Sequence, residues 1–244
     1  MLEILLIAIV ACLIGLSKGG MGAVLVVLTT PLLSQAFPVK SAISMTLPLL
    51  IIADVFALYA FWNKWDMAYV RAMLPAAVVG VVIGSVLLAV LPDLALRRIM
   101  GLFTLTFVIY RIAQTRIARL AYVSRPWHAP LAGGVSGLGS AMANTGAPPY
   151  TAYMMLQKVD PVAFAGTATL FFAIINALKM PGLVVSGIFD WQLFLATLWV
   201  VPLIPLLILA GRYMVMRINH RAFDRLMLAL LAMASFILLF VTPR

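Results

Sequence analysis

Long apolar stretches recur along this chain from one end to the other, and they leave it few ways to fold. A helix that crosses a bilayer needs about 20 predominantly apolar residues, because its backbone must satisfy its own hydrogen bonds where there is no water. The chain of 244 residues is 65% hydrophobic and only 10% charged, whereas a soluble domain is roughly half apolar and a quarter charged. The sequence therefore predicts an all-α, polytopic integral membrane protein.

The apolar stretches can be delimited as separate segments. They are residues 2–33, 41–62, 67–91, 96–112, 128–156, 163–186, 191–211 and 223–241. The one sizeable polar linker lies in the middle of the chain. We therefore assign a first transmembrane repeat to 1–113, a cytoplasmic linker to 114–127 and a second transmembrane repeat to 128–244. No polar stretch is long enough to form a soluble domain.

The two halves of the chain resemble each other in sequence. The matching stretches are 37–44 with 160–167, 50–54 with 172–176, and 64–66 with 189–191. All three pairs are offset by about half the chain, and each half opens with a long Gly-rich segment. This pattern predicts a duplicated unit of four segments, and internal repeats of this type are frequent in transporters.

The distribution of Lys and Arg discriminates between two topologies, since cytoplasmic loops carry the excess of positive charge. If all eight segments span the membrane, the alternating loops carry seven and eight of these residues, which gives no orientation. If the first and fifth segments fold back as hairpins of two half-helices, one side carries eleven and the other four, with Lys18 and Lys179 inside the membrane. We therefore expect re-entrant first and fifth segments, inverted repeats and both termini outside. Long tilted helices with a kink are the alternative.

Lys18 stands deep inside the first apolar segment, too far from either end for its side chain to reach the membrane surface. A cation at that depth costs ~3 kcal/mol or more unless it meets a partner, water or a ligand. The small residues Gly15, Ser17, Gly19 and Gly20 favour a break that turns the backbone toward a cavity, with a half-helix beginning near Gly20. We predict that Ser17, Lys18, Gly19 and Gly20 bind an anion. Pairing of Lys18 with an acid is the structural alternative.

The fifth segment has a similar Gly-rich centre, in which Asn144, Thr145 and Gly146 precede Ala147 and two prolines. Because proline suits the first turn of a helix, a half-helix is expected to begin near Ala147. Its positive dipole end would point toward Thr145. Two such half-helix ends meeting near the midplane would form a compact anion site, to which Asn144, Thr145 and Gly146 contribute. The alternative is that Asn144 and Thr145 only hold helices together.

Asp54 and Asn176 occupy equivalent positions in the two repeats, and Lys179 follows Asn176 by one turn on the same helix face. Asn176 and Lys179 are therefore added to the predicted substrate-binding residues. Asp54 is expected either to neutralise Lys18 or Lys179, or to carry a coupling proton. Lys179 ranks below Lys18, because a helix break at Pro181 would let it reach the membrane surface instead.

The remaining residues give no sign of catalysis. Cys12 is the single cysteine, no His-Glu-x-x-His pattern occurs and no nucleophile stands beside a base within a segment. We therefore expect no enzyme, no metal site and no cofactor. The net charge of +10 belongs to the loops and does not indicate nucleic-acid binding. Phe and Met side chains are assigned to packing or to lipid contact, and Gly80 and Gly84 to close helix packing within one chain or between chains.

Two groups of residues carry a resemblance to a known family. They are 15–22, 31–33, 37–38, 47–54 and 80–84 in the first half, and 136–139, 144–149, 166–167, 176 and 179–181 in the second. Together they are similar to the signatures of the TauE/SafE family of membrane transport proteins, also called the sulfite exporter family. The family often shows a double glycine before the prolines, where this chain has Gly146-Ala147. The resemblance spans nearly the whole chain and implies a transporter for sulfur oxyanions or organosulfonates, such as sulfite or sulfoacetate.

Intramembrane cations, helix breaks and duplicated halves indicate, apart from that resemblance, a secondary transporter in which two repeats alternate around a small-anion site. We expect it to be multi-pass in the plasma (inner) membrane and to export its substrate. A passive anion channel, a transporter of another small carboxylate and a non-transporting subunit of a larger complex stay open as alternatives. The expected partners are the anion and membrane lipid, whereas proton coupling and assembly into a homo-oligomer are left open by the sequence.

Overall fold

The computed structural model describes residues 2–21, 24–117, 125–157, 159–215 and 220–240, and every regular element in these ranges is helical. The helices are α1 (Leu2–Leu16), α2 (Val24–Leu33), α3 (Val39–Ala60), α4 (Met67–Val90), α5 (Asp93–Ile117), α6 (His128–Ala143), α7 (Ala147–Leu156), α8 (Pro161–Val185), α9 (Trp191–Thr197), α10 (Leu203–Val215) and α11 (His220–Phe240). A π-helical turn, Ser17–Met21, follows α1, and a 3₁₀ turn, Leu198–Val200, follows α9. Residues 118–124 of the predicted linker lie outside the described ranges.

Several of these helices have the length and composition of membrane spans. In the described ranges they are Glu3–Met21, Val39–Ala60, Met67–Val90 and Pro161–Val185. The bent pair Trp191–Val200 and Leu203–Met214 adds a fifth if it counts as one span. The helix α5 covers the predicted segment 96–112, and α11 covers the described part of the predicted segment 223–241. Neither helix is among these candidate spans. The prediction of a polytopic helical membrane protein is confirmed.

The first and fifth segments are both broken. In the first, Gly20 has a φ of 109°, which glycine adopts readily, and the next helix begins at Val24. This start is later than the one predicted near Gly20, because the π-helical turn carries the chain on to Met21. In the fifth, Asn144 has a φ of 55° and α7 begins at Ala147, as predicted.

A third break divides the seventh segment, which the sequence analysis treats as one helix. The axis bends by 53° between the 3₁₀ turn and α10. Pro202 lies at the bend, and because proline has no amide hydrogen and its ring crowds the preceding turn, it cannot continue a regular helix.

Glycines bring α4 and α6 into backbone contact. A Cβ on Gly80 would lie 2.1 Å from the carbonyl oxygen of Gly134, and one on Gly84 would lie 2.9 Å from that of Leu138. Contacts that advance together along both helices mean that the two run parallel. Gly80 and Gly84 therefore serve packing within one chain, which settles the question that their spacing leaves open.

A second parallel pair is formed by the first and seventh segments. A Cβ on Gly15 would lie 2.4 Å from that of Leu207, and one on Gly19 would lie 2.9 Å from the Cα of Gly211. The break in the first segment is thereby held against α10, and Gly19 is buried in this contact.

The helices α3 and α8 run antiparallel along their whole lengths. Near one end the amide of Asp190 donates to Ser44 Oγ at 2.9 Å, and near the other the amide of Asp66 donates to Thr167 Oγ1 at 2.9 Å. Asp54 and Asn176 lie opposite each other between these two contacts.

The helices α5 and α11 also run antiparallel. Ser235 Oγ donates to the carbonyl oxygen of Gly101 at 2.7 Å. Further along α5, Phe107 shares a buried cluster with Leu231, which lies earlier in α11. This pair closes the side of the bundle next to α2.

Candidate functional site

Lys18 and Asp54 form an ion pair beside the break of the first segment. The Lys18 ammonium contacts Asp54 Oδ1, and the two side chains are only 11% and 4% exposed. A carboxylate or an ammonium alone at this depth would cost several kcal/mol, so each group is held there by the other. The structure therefore favours the pairing role for Asp54 that the sequence analysis proposes beside proton carriage.

Asn176 ties this ion pair to the other half of the chain. Its Nδ2 donates to Asp54 Oδ2 at 2.7 Å. Asp54 thus accepts from Lys18 with one oxygen and from Asn176 with the other. The two positions that the sequence analysis predicts to be equivalent are therefore in direct contact.

Lys179 is completely buried and turned inward. Its ammonium donates to Asn144 Oδ1 at 2.7 Å and to Ser140 Oγ and Ser140 O at 3.1 Å each. The predicted break at Pro181 does not occur, since α8 continues to Val185. The alternative in which Lys179 reaches the membrane surface is therefore wrong, and Lys179 belongs to the centre of the protein.

Asn144 is the hub of the second polar cluster. Its left-handed backbone ends α6, and its Nδ2 donates to Thr46 Oγ1 at 2.8 Å and to Thr30 Oγ1 at 3.1 Å. Because its side-chain Oδ1 also accepts from Lys179, the Asn144 side chain connects α2, α3, α6 and α8 by hydrogen bonds. Thr30, Thr46 and Ser140 were not predicted from the sequence. Their hydroxyl groups lie within apolar helices, and only their burial against Asn144 and Lys179 distinguishes them.

The other predicted site residues divide into two groups. A cavity is lined by Ser17, Lys18, Gly20, Asn144, Gly146 and Asn176. Gly19, Thr145, Lys179 and Asp54 lie outside its lining. Gly19 packs on α10, and Thr145 caps α6, because both its amide and its Oγ1 donate to the carbonyl oxygen of Gly139.

The cavity has a volume of about 250 Å³. Its polar side contains Lys18 and the breaks at Gly20 and Asn144. Its other walls contain aromatic and small apolar residues, among them Phe61, Tyr150, Phe164 and Phe172. Phe164 and Phe172 also pack against a buried cluster, which agrees with the assignment of Phe side chains to packing, but that assignment did not predict that they line a cavity. In the described ranges, no three His, Cys, Asp or Glu side chains lie together in a way that could hold a metal ion.

Replacing Lys179 with methionine is expected to lower the free energy of unfolding by about 1–3 kcal/mol, because Asn144 Oδ1 loses its buried donor. The matched control is Lys40→Met. Lys40 donates to the carbonyl oxygen of Ala89 at 2.9 Å near the end of α4, and its loss should change stability by less than about 0.5 kcal/mol. Thermal unfolding of the purified proteins in lipid nanodiscs measures both. A Lys179→Met protein as stable as wild type would contradict the prediction.

Comparison with known proteins gives one match. A protein-family model described as Sulfite exporter TauE/SafE matches residues 7–238. No curated protein and no solved structure matches the chain. The matched range includes the breaks at Gly20 and Asn144, the Lys18–Asp54 ion pair and Lys179.

Proposed function

This chain belongs to the sulfite exporter TauE/SafE family, and we propose that it is a secondary transporter that exports a small sulfur oxyanion or organosulfonate, such as sulfite or sulfoacetate. The membrane it occupies is proposed to be the plasma (inner) membrane. The observation that carries the proposal is Lys18, which lies at a helix break, lines a cavity and is paired with Asp54 behind the cavity lining. An anion entering this cavity meets a buried ammonium whose present partner it can replace.

The site has the donors that an oxyanion requires. At the break of the first segment, Lys18 supplies a positive charge, Ser17 supplies a hydroxyl group and Gly20 supplies backbone polar groups. Asn144 and Gly146 face the same cavity from the second break. Half-helix ends that point at a substrate near the bilayer midplane are a recurrent arrangement in secondary transporters. In this proposal Lys179 holds the Asn144 side chain in place from behind and does not touch the substrate.

Helix directions support an inverted arrangement of the two repeats. Segments two and six (α3 and α8) match in sequence but run antiparallel. Segments four and eight (α5 and α11), which occupy the same place in the two predicted repeats, also run antiparallel. An even number of crossings per half would make equivalent segments run in the same direction. An odd number reverses them, as expected if segments one and five are re-entrant and three segments per half cross the membrane.

A difference between equivalent helix faces supports alternating access. On α8, Ala165 and Ala168 line the cavity. The equivalent positions on α3 are Ala42 and Met45, which are 0% and 1% exposed. One repeat therefore has an open face where the other is packed. We propose that exchanging these two arrangements moves the site from one side of the membrane to the other.

Asp54 is proposed to connect substrate binding to proton movement. When a substrate anion takes over the Lys18 ammonium, the Asp54 carboxylate is left with Asn176 alone, and a proton would then neutralise it. Loss of the substrate would restore the ion pair and release the proton. This cycle makes export responsive to an imposed pH gradient.

Counterflow in proteoliposomes tests the proposed function. Labelled sulfite should enter vesicles preloaded with unlabelled sulfite several-fold faster than empty ones. A carrier must turn its site back to the outer face before each entry, and unlabelled sulfite inside the vesicle supports that return. The flux should saturate with concentration and follow a pH gradient. Flux without saturation or counterflow would indicate a passive channel, and absence of flux for sulfite and for sulfonates would contradict the proposal.

A further inference from the structure

Arg97 is a charged side chain that the protein buries almost completely. It lies near the start of α5 and is only 4% exposed. One terminal nitrogen of its guanidinium donates to the carbonyl oxygen of Ser34, just after α2, and its Nε has no hydrogen-bond partner. Among the described residues, no carboxylate forms an ion pair with Arg97. Because a buried arginine normally has an acidic partner, this guanidinium lacks the anion that would compensate its charge.

Arg97 is one half of a clamp on the connection between α2 and α3, residues 34–38. The other half is Asp93, one turn earlier on α5, whose Oδ1 accepts from the amide of Val39 at 2.6 Å. Arg97 therefore holds the beginning of the connection and Asp93 holds its end. We call these two contacts the α2–α3 clamp.

The clamp lies at the end of α3 that is remote from the cavity. Phe61, just after α3, and Pro161, at the start of α8, both line the cavity. The helix α3 has 22 residues, so its start at Val39 lies about 33 Å from its end. At the clamped end, Ala42 and Met45 are packed where their counterparts on α8 are open to the cavity. The clamp thus fastens the closed end of the molecule.

The starts of α3 and α8 are capped in different ways. Asp160 caps α8 itself, because its Oδ2 accepts from the amides of Val162 and Ala163 at 2.9 and 3.1 Å. The sequence match places Phe37 opposite Asp160, and a phenylalanine cannot accept these bonds. The start of α3 therefore depends on Asp93 from another helix. Opening this end, as the proposed alternating access demands, separates the connection from α5.

We propose that Arg97 is a second anion-binding residue, which the α2–α3 connection covers in this state and uncovers when the passage along the start of α3 opens. Loss of the Ser34 carbonyl frees the N–H groups of the guanidinium, whose planar fork suits two oxygens of a small oxyanion. The bound anion then compensates the charge that has no acidic partner in the closed arrangement. The inference rests on the proposed function for the opening, and it concerns a site separate from Lys18.

Amide hydrogen exchange of the connection tests the inference without a flux measurement. The amides of Gln35, Ala36, Phe37 and Val39 all donate hydrogen bonds in this structure, so they exchange when the clamp opens. Titration of the wild type with sodium methanesulfonate in phosphatidylcholine nanodiscs should raise their exchange several-fold and saturably. Lys18 serves both arrangements in the proposed cycle, whereas Arg97 binds only in the open one and so shifts the equilibrium toward it.

Variants of neighbouring arginines identify the source of the response. Arg97→Gln should exchange faster without anion, because the clamp is weaker, but should lose the anion-dependent rise. Arg98→Gln is the matched control, since Arg98 is the next residue and is exposed; it should keep the rise. Arg97→Lys retains the charge without the fork, so its half-saturation concentration should increase by ~3-fold or more. This variant decides the matter if Arg97→Gln does not fold.

Two further arms identify the ligand. Sodium chloride at the same concentrations should have a much smaller effect, since a single atom cannot engage both arms of the fork. An equal response to chloride would indicate screening and would overturn the inference. Nanodiscs that contain phosphatidylglycerol test the lipid headgroup as the source of the anion. Exchange that rises with this lipid but not with methanesulfonate would assign Arg97 to lipid and would also overturn it.

The outcomes distinguish this inference from the proposed function. A wild type without the rise, or an equal rise in Arg97→Gln, would contradict an anion site at Arg97 even if sulfite is transported. A saturable rise that Arg97→Gln removes and Arg98→Gln keeps would support the site even if sulfite is not the substrate. Only the flux measurement decides what the protein transports.

Discussion

Replacing Lys18 with methionine is expected to destabilise the protein by about 3–5 kcal/mol, because it leaves the Asp54 carboxylate buried without its cation. The side chain of Asp54 is only 4% exposed, so water cannot replace the ammonium. Asn176 would still donate to one oxygen, but an amide does not neutralise a charge. Thermal unfolding in nanodiscs measures the loss. A Lys18→Met protein with wild-type stability would show that the ion pair does not hold the break in place.

The double variant Lys18→Met with Asp54→Asn separates stability from function. Asparagine removes the unpaired charge and can still bond to Asn176, so most of the lost stability should return. The two substitutions are in direct contact and should therefore be strongly non-additive. Additive losses of stability would contradict a direct interaction between Lys18 and Asp54. The recovered protein also provides a folded form without the proposed anion-binding charge.

Gly133→Ala is expected to separate α4 from α6 and to cost at least about 1–3 kcal/mol, as overpacking does elsewhere. A Cβ on Gly133 would lie 2.1 Å from the carbonyl oxygen of Met73, and one on Gly137 would lie 2.1 Å from that of Ala77. The obstacles are backbone atoms, so no side-chain rotation can relieve the contact. The whole helix must shift, and the second break with Asn144 is attached to its end.

Gly134→Ala is the matched control on the same helix. Its Cβ would lie 3.5 Å from the carbonyl oxygen of Ala76, an ordinary contact. Its stability should stay within about 1 kcal/mol of wild type, since alanine is the better helix former. The yield of folded protein and its thermal midpoint compare the two neighbours. Equal tolerance of both substitutions would mean that α4 and α6 are not in backbone contact.

The sequence predicts those features of the fold that follow from local chemistry. Apolar length predicts the helical membrane protein, and glycines and prolines predict the breaks beside Lys18 and before Ala147. The cost of a charge in lipid predicts a partner for Lys18, and the repeat brings Asp54 and Asn176 into correspondence. The first three of these inferences need only the residues next to the feature, and the fourth needs only a comparison of the two halves of the sequence.

Features that depend on which helices pack together could not be read from the sequence. Asn144 bonds to Thr30 and Thr46, which are more than ninety residues away along the chain. Helical position does not reveal that a Thr hydroxyl faces the protein and not lipid. The position of Phe164 and Phe172 on the cavity was missed for the same reason. A phenylalanine that lines a cavity and one that faces lipid look alike in the sequence.

Efflux of labelled sulfite from proteoliposomes tests most directly whether Lys18 binds the anion, when the Lys18→Met, Asp54→Asn double variant is compared with the wild type. The double variant should fold but transport at least ~10-fold more slowly, since a hydrogen bond to a charged group contributes ~1.5–3 kcal/mol. Wild type should show saturable efflux that unlabelled sulfonates inhibit. A folded double variant that exports sulfite as fast as wild type would contradict the claim that Lys18 binds the anion.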